Sequence, residues 1–142
     1  MKNQLNVLLA GILACCTFSA WAVDVTATNA WARASIPGAS SGAGYVSLHN
    51  ETASVITLVG MKSDVSKTTE LHTHIHEDGM MKMTHVSEVS IAPGETLEMK
   101  PGGYHIMLMG LQEPLQEGST VAVELLFADG RSQLLQLEVR KP

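Results

Sequence analysis

Turn signals recur along this chain at short intervals, and the runs between them are rich in Val, Thr, Ile and Leu. The signals are Pro37-Gly38, Asn50-Glu51, Asp78-Gly79, Pro93-Gly94, Pro101-Gly102-Gly103, Glu117-Gly118 and Asp129-Gly130. Branched side chains fit a pleated, half-buried surface, and Gly, Asn and Asp tolerate the backbone angles of tight reversals. Alternation of apolar and other residues is plain in Val121-Ala122-Val123-Glu124-Leu125 and in Leu135-Gln136-Leu137-Glu138-Val139. The spacing predicts strands over 24–33, 43–49, 54–61, 67–76, 80–86, 95–100, 103–109, 120–128 and 131–139. No segment keeps a helical period. About nine short strands without a helix predict an all-β domain, a Greek-key β-sandwich or barrel. Asp129-Gly130 reads as a tight structural hairpin. Trp31 and Tyr45 read as packing residues, and His49 as a strand-end surface histidine.

The N-terminus has a different character. Met1-Lys2 is followed by an apolar run of nine residues, Leu5 to Leu13, and then by Ala20-Trp21-Ala22, a small-x-small cleavage pattern. Residues 1–22 are therefore expected to be a secretory signal peptide, with Val23 the mature N-terminus. The run falls short of the roughly 20 residues that span a bilayer, so it is not expected to be a membrane anchor, and no membrane span is expected in the mature chain. Lipid attachment at Cys15 or Cys16 is the alternative, although Ile12-Leu13-Ala14 fits that cleavage pattern poorly. Residues 23–142 then form one domain with one core.

Cysteine usage narrows the chemistry. Both cysteines, Cys15 and Cys16, lie in the leader, so the mature chain has no disulfide, thiolate ligand or cysteine nucleophile. Lys2 lies there too, so 8 of the 9 Lys and Arg remain against 14 Asp and Glu, a net charge of −6. With no basic run, nucleic acid is not an expected partner. Mild acidity would modestly attract cations. Nothing resembles a nucleophile elbow or a catalytic carboxylate pair, so no enzymatic activity is expected.

Histidine and methionine cluster instead. Five of the six histidines, and most of the methionines, fall between residues 72 and 109. In a hairpin closed at Asp78-Gly79, His72, His74 and His76 share one strand face by period-two alternation. A two-residue turn sets His74 opposite Met83 and His72 opposite His85, whereas a four-residue loop, 76–79, sets His72 opposite Met83. Either register puts Met81, Met83 and His85 on the histidine face. The same rule places His105 and Met107 together on a second strand, with Met109 one step further along. Methionine on a strand is commonly core filler, but two infrequent residue types clustered at period two point to a metal site. Thioether sulfur is a poor ligand for Zn(II) and a good one for Cu(I). Two His and two Met make a neutral, soft set suited to a monovalent ion. A blue-copper electron-transfer site would need a Cys thiolate.

These residues resemble the signature of the periplasmic copper chaperone A family. The match is His72, ten residues, Met83, twenty-one residues, His105, one residue, Met107. Its context is Trp31-Ala32-Arg33, Gly42-Ala43-Gly44-Tyr45, Glu70-Leu71-His72, Asp78-Gly79-Met80-Met81-Lys82-Met83 and Pro101-Gly102-Gly103-Tyr104-His105-Ile106-Met107-Leu108. The resemblance runs from about Trp31 to Phe127. It implies a cupredoxin-like β-sandwich and a surface Cu(I) site with His72, Met83, His105 and Met107 as ligands. It also implies a periplasmic chaperone that carries copper towards the binuclear copper centre of cytochrome c oxidase. The partner would be a copper-accepting protein, such as an oxidase subunit or a thiol-bearing copper assembly factor, and the chaperone a monomer. Two features depart from the family pattern: His74, His76 and His85 are extra, and no Met/His-rich tail is expected beyond Pro142. The extra histidines leave open a second site for Cu(II) or Zn(II), and with it a copper-scavenging or resistance role. A Zn or Ni binder using His72, His74 and His76, and a purely structural exported domain, are the competing readings.

Overall fold

A computed structural model describes residues 25–141. The expected signal peptide at 1–22, the expected start at Val23, and Cys15 and Cys16 lie outside the described residues. Those residues form ten strands: β1 (Val25–Arg33), β2 (Ser41–Asn50), β3 (Ile56–Lys62), β4 (Ser66–Glu77), β5 (Met80–His85), β6 (Val89–Ile91), β7 (Thr96–Glu98), β8 (His105–Leu111), β9 (Thr120–Phe127) and β10 (Ser132–Arg140). No helix appears among them.

The strands join edge to edge in the order β5-β4-β8-β2-β1-β10-β9-β3-β6, and β7 pairs with β2 alongside β8. Neighbours in space are mostly distant in sequence, and β1 and β10 run parallel. This is the Greek-key, cupredoxin-like all-β fold that the sequence predicts. The ribbon buries one common core. Val46 and Leu48 from β2, Leu71 from β4, and Ile106 and Leu108 from β8 meet Val121, Val123 and Leu125 from β9 and Leu135, Leu137 and Val139 from β10. The halves press closely. A Cβ placed on Gly44 of β2 would lie 2.8 Å from Leu137 Cδ1, so glycine there lets β10 approach.

Nine strands are predicted and ten are present. The additional one, β6, has three residues in a polar stretch and no pattern of its own. It is held by a side chain from elsewhere: Asn50 is fully buried, and its Nδ2 donates to the carbonyls of Ile91 and Ser54, both at 2.8 Å. Its Oδ1 accepts from the Thr52 amide at 2.9 Å. The Asn50-Glu51 turn signal thus also anchors a strand about forty residues downstream. At Asp129-Gly130 the expected hairpin forms, with Gly130 at φ 86° and its N–H donating to the Phe127 carbonyl.

Strand parity positions the functional face. Leu71, Ile106 and Leu108 point into the core, so their neighbours His72, His105 and Met107 point to the sheet's outer face. Strand β4 has twelve residues, and its last three are exposed. The β4–β5 hairpin therefore projects past the core, with β5 paired only to β4.

A core of this extent needs no ion to form, unlike a zinc finger. The metal-free protein is expected to show a β-sheet circular dichroism spectrum and a cooperative urea transition. Leu137→Ala, at a side chain with no exposure, should lower its stability by about 2–5 kcal/mol. A metal-free chain that is unfolded, and folds only when metal is added, would contradict this.

Candidate metal centre

The hairpin turn decides the register that the sequence leaves open. Asp78 has φ 53° and Gly79 φ 74°, the two successive left-handed residues of a type I′ loop, which Asp-Gly adopts at little cost. The loop has two residues, with Glu77 opposite Met80. From there His76 faces Met81, His74 faces Met83 and His72 faces His85. The turn-flanking pair of a type I′ hairpin is hydrogen-bonded, so the alternation of the antiparallel ladder makes these three pairs the non-hydrogen-bonded kind. Such pairs bring side chains closest, at about 4.5 Å between Cα atoms.

On its other side β4 pairs with β8. His72 faces His105, Glu70 faces Met107 and Thr68 faces Met109. His72 is therefore flanked by histidines on both neighbouring strands. Its ring centroid lies 5.8 Å from that of His85 and 6.0 Å from that of His105. The His74 ring is closer still to His105, at 5.2 Å. Beyond β8, Met107 faces Ala43 of β2. The small side chain there leaves a cleft of 460 Å³ whose lining includes Arg33, Ala43, Tyr45, His74, Met83, His105 and Met107.

The four residues singled out from the sequence thus share one outer face. By register His72 is directly opposite His105 and diagonal to Met83 and Met107. His74 is directly opposite Met83 and diagonal to His105, but two steps from Met107. His74 lines the cleft and His72 does not. Their exposure is graded. His105 is 3% exposed, Met107 is half-buried and Met83 is 47% exposed. Met109 lies a step away opposite Thr68, Met99 is in the core, and His76 and His85 are exposed.

Hydrogen bonding selects the nitrogen that each ring leaves free. His72 Nε2 lies 2.9 Å from Glu70 Oε2; a carboxylate only accepts, so Nε2 carries the proton and Nδ1 keeps its lone pair. His105 Nδ1 donates to the Gly103 carbonyl at 3.0 Å, which leaves Nε2 as the lone-pair nitrogen. Both free nitrogens, with His74 Nδ1, are buried and without a hydrogen-bond partner. Buried polar atoms are normally satisfied, and three orphaned imidazole nitrogens on one face fit a metal ion. Among the described residues no group of three or more His, Cys, Asp or Glu is placed to hold one. The thioethers on the same face are the further donors at hand, and a second site for Cu(II) or Zn(II) built from His74, His76 and His85 is not supported.

Three contributions were not legible in the sequence: the Glu70 carboxylate that orients His72, the Gly103 carbonyl that orients His105, and the cleft beside Ala43 and Tyr45. Only the first left a signal, since Glu70 stands two residues before His72 on the same strand face. Tyr45 also stacks on Trp31, with ring centroids 4.7 Å apart, and the Arg140 guanidinium lies 4.7 Å over Trp31, so these residues do pack as expected. His49 is half-buried and bonded to Thr96 Oγ1 at 2.8 Å.

The chain matches the family described as "Putative lipoprotein LpqE-like" over residues 25–139, and it belongs to that family. Lxx21020 of Leifsonia xyli subsp. xyli, also named as a lipoprotein, is 32% identical over 117 residues, which is 82% of this chain and 69% of that protein. The uncharacterized RP573 of Rickettsia prowazekii is 29% identical over 77% of this chain and 62% of its own length. The solution structure of CuI-DR1885 from Deinococcus radiodurans superposes with a TM-score of 0.68 at 34% identity, over 90% of this chain and 86% of that one. The copper-bound PCuAC domain from PmoF2 has a TM-score of 0.70 at 20% identity, over 86% of this chain and 97% of that one, and so shares the fold. The resemblance to the periplasmic copper chaperone A family holds.

Burial lowers the pKa of the His105 imidazole below the ordinary histidine range. The bond to Gly103 opposes the shift, and charge on His74 and His72 adds to it. Between that lowered value and the ordinary one of about 6.5, the unfolded chain binds a proton that the fold excludes, so stability rises with pH. The metal-free protein should therefore lose stability as pH falls below about 6.5. His105→Gln should flatten that part of a urea-midpoint against pH curve, and an unchanged slope would show that His105 is not the group responsible.

Proposed function

We propose that this protein is an exported, non-catalytic carrier that holds Cu(I) through His72, Met83, His105 and Met107 and passes it to a partner protein. The observation that carries this reading is the set of buried, unpartnered imidazole nitrogens on a strand face that also bears thioethers. Imidazole alone would suit several metals, and thioether sulfur narrows the choice to a soft one. His72 is assigned ahead of His74 because its register position adjoins all three other donors. The copper-bound state of DR1885, at 34% identity, supports the same cargo.

Carrying requires release. Met83 stands half in solvent beside an open cleft, so an incoming ligand has a route to the ion. The set contains no thiolate, and a thiol-bearing acceptor outcompetes thioethers for Cu(I). The recipient in this reading is a thiol-bearing copper assembly factor or an oxidase subunit, and the destination is the binuclear copper centre of cytochrome c oxidase. The lipoprotein description of the family supports export to the periplasm. Among the described residues no helix is long and apolar enough to cross a membrane.

Anaerobic titration against a competing chelator should show one tight Cu(I) per chain and much weaker Zn(II). His72→Ala, or Met83→Ala with Met107→Ala, should abolish the tight site, while His74→Ala should leave most of it. Zn(II) binding tighter than Cu(I), or equal losses from His72→Ala and His74→Ala, would overturn the assignment.

Mixing the Cu(I)-loaded protein with a dithiol acceptor, separating the two and assaying copper tests the carrier role. The copper is expected on the acceptor at equilibrium. Copper retained by this chain would make it a store or scavenger with the same site.

A further inference from the structure

The hairpin repeats its donor pair. On the face that carries His72, two successive rungs each join one imidazole to one thioether, His74 to Met83 and His76 to Met81. Both are non-hydrogen-bonded rungs, where opposed side chains approach most closely. The inner rung adjoins the buried His105, while the outer rung sits at the tip, where His76 is exposed and Met81 is 56% exposed. Met80 and Lys82 point to the opposite face, where Lys82 Nζ lies 2.7 Å from Glu77 Oε2. The tip is thus braced from behind and left open on the donor side. Ordinary surface composition does not explain it, because an exposed methionine directly opposite an exposed histidine contributes neither to the core nor to an ion pair.

Resting on the Cu(I) reading above, we propose that His76 and Met81 form a second, weaker Cu(I)-binding position, through which the ion enters and leaves the inner site. One imidazole and one thioether suffice for a low-coordinate Cu(I), and they bind it more weakly than four donors. His74 stands between the two positions, one step along the strand from His76 and 5.2 Å from the His105 ring. An ion can therefore pass from the outer rung to the inner one by exchanging a single donor at a time, without losing all its ligands to water. This soft position differs from a histidine-only Cu(II) or Zn(II) site, because Met81 is half of it.

The test uses the whole mature chain with Cu(I) itself, added anaerobically in steps up to two equivalents. Methionine methyl resonances are followed by carbon-13 NMR. The first equivalent should move the Met83 and Met107 methyls, and the second should move Met81. His76→Ala with Met81→Ala should keep the first equivalent at unchanged affinity, lose the second, and slow transfer of bound copper to a chelator several-fold. A Met81 methyl that stays still through two equivalents would overturn the proposal, as would a double variant that retains the second equivalent, while the inner site stands. A wild-type chain that takes up no Cu(I) at all would overturn the copper reading, and this proposal with it.

Discussion

The register of β4 against its two neighbours is the constraint on which the rest of this structure depends. Successive side chains of a strand alternate between faces, so a slip of one residue would send His72 and His74 into the core and Leu71 into solvent. Two independent features hold the register. On one side, Asp78 and Gly79 form a loop that accommodates only two residues and so matches His74 to Met83. On the other, Leu71, Ile106 and Leu108 must all be buried, which matches His72 to His105. Core packing and donor assembly are therefore one event: what buries Leu71 also presents His72.

The site then combines rigidity on one side with access on the other. His105 is buried although it points away from the core, and the Gly103 carbonyl fixes its ring. Glu70 fixes the ring of His72 in the same way. These bonds leave one unpartnered nitrogen on each ring, so under the proposed Cu(I) assignment little ordering would be needed when an ion arrives. Met83, by contrast, sits on an edge hairpin beyond the core, on a flexible side chain with a polarizable sulfur. In the proposed carrier, preset imidazoles and an exposed, flexible thioether would hold a soft ion and still yield it.

The edge position of β5 has a further consequence. An exposed edge strand invites pairing with other chains unless something interrupts it. Here β5 has six residues and carries Lys82 on the face opposite the donors, close to Glu77. That charge placement interrupts the apolar back of the edge strand and leaves the donor-face residues of β5, Met81, Met83 and His85, without a charged neighbour on their own strand face. The exposed methionines at 80, 81 and 83 would otherwise be a hydrophobic liability.

Sequence alone determined the local features. Nine of the ten strands could be read from alternation and turn chemistry, because both depend on residues within a few positions of one another. For the same reason the shared face of His72, His74, His76, Met81 and Met83 followed from period two, whichever turn closed the hairpin. The short strand β6 was not legible, since Asn50 holds it from a distant turn. Neither was the hairpin's exact register, because Asp78-Gly79 allowed a two-residue or a four-residue loop. Tertiary structure decided everything that depends on β4 meeting β8 and β8 meeting β2: the facing of His72 and His105, the orphaned nitrogens, and the cleft beside Ala43. Those contacts join segments separated by tens of residues, and no local pattern encodes which strand will lie beside which. Core burial chooses the pairing, and the face opposite the core inherits the site.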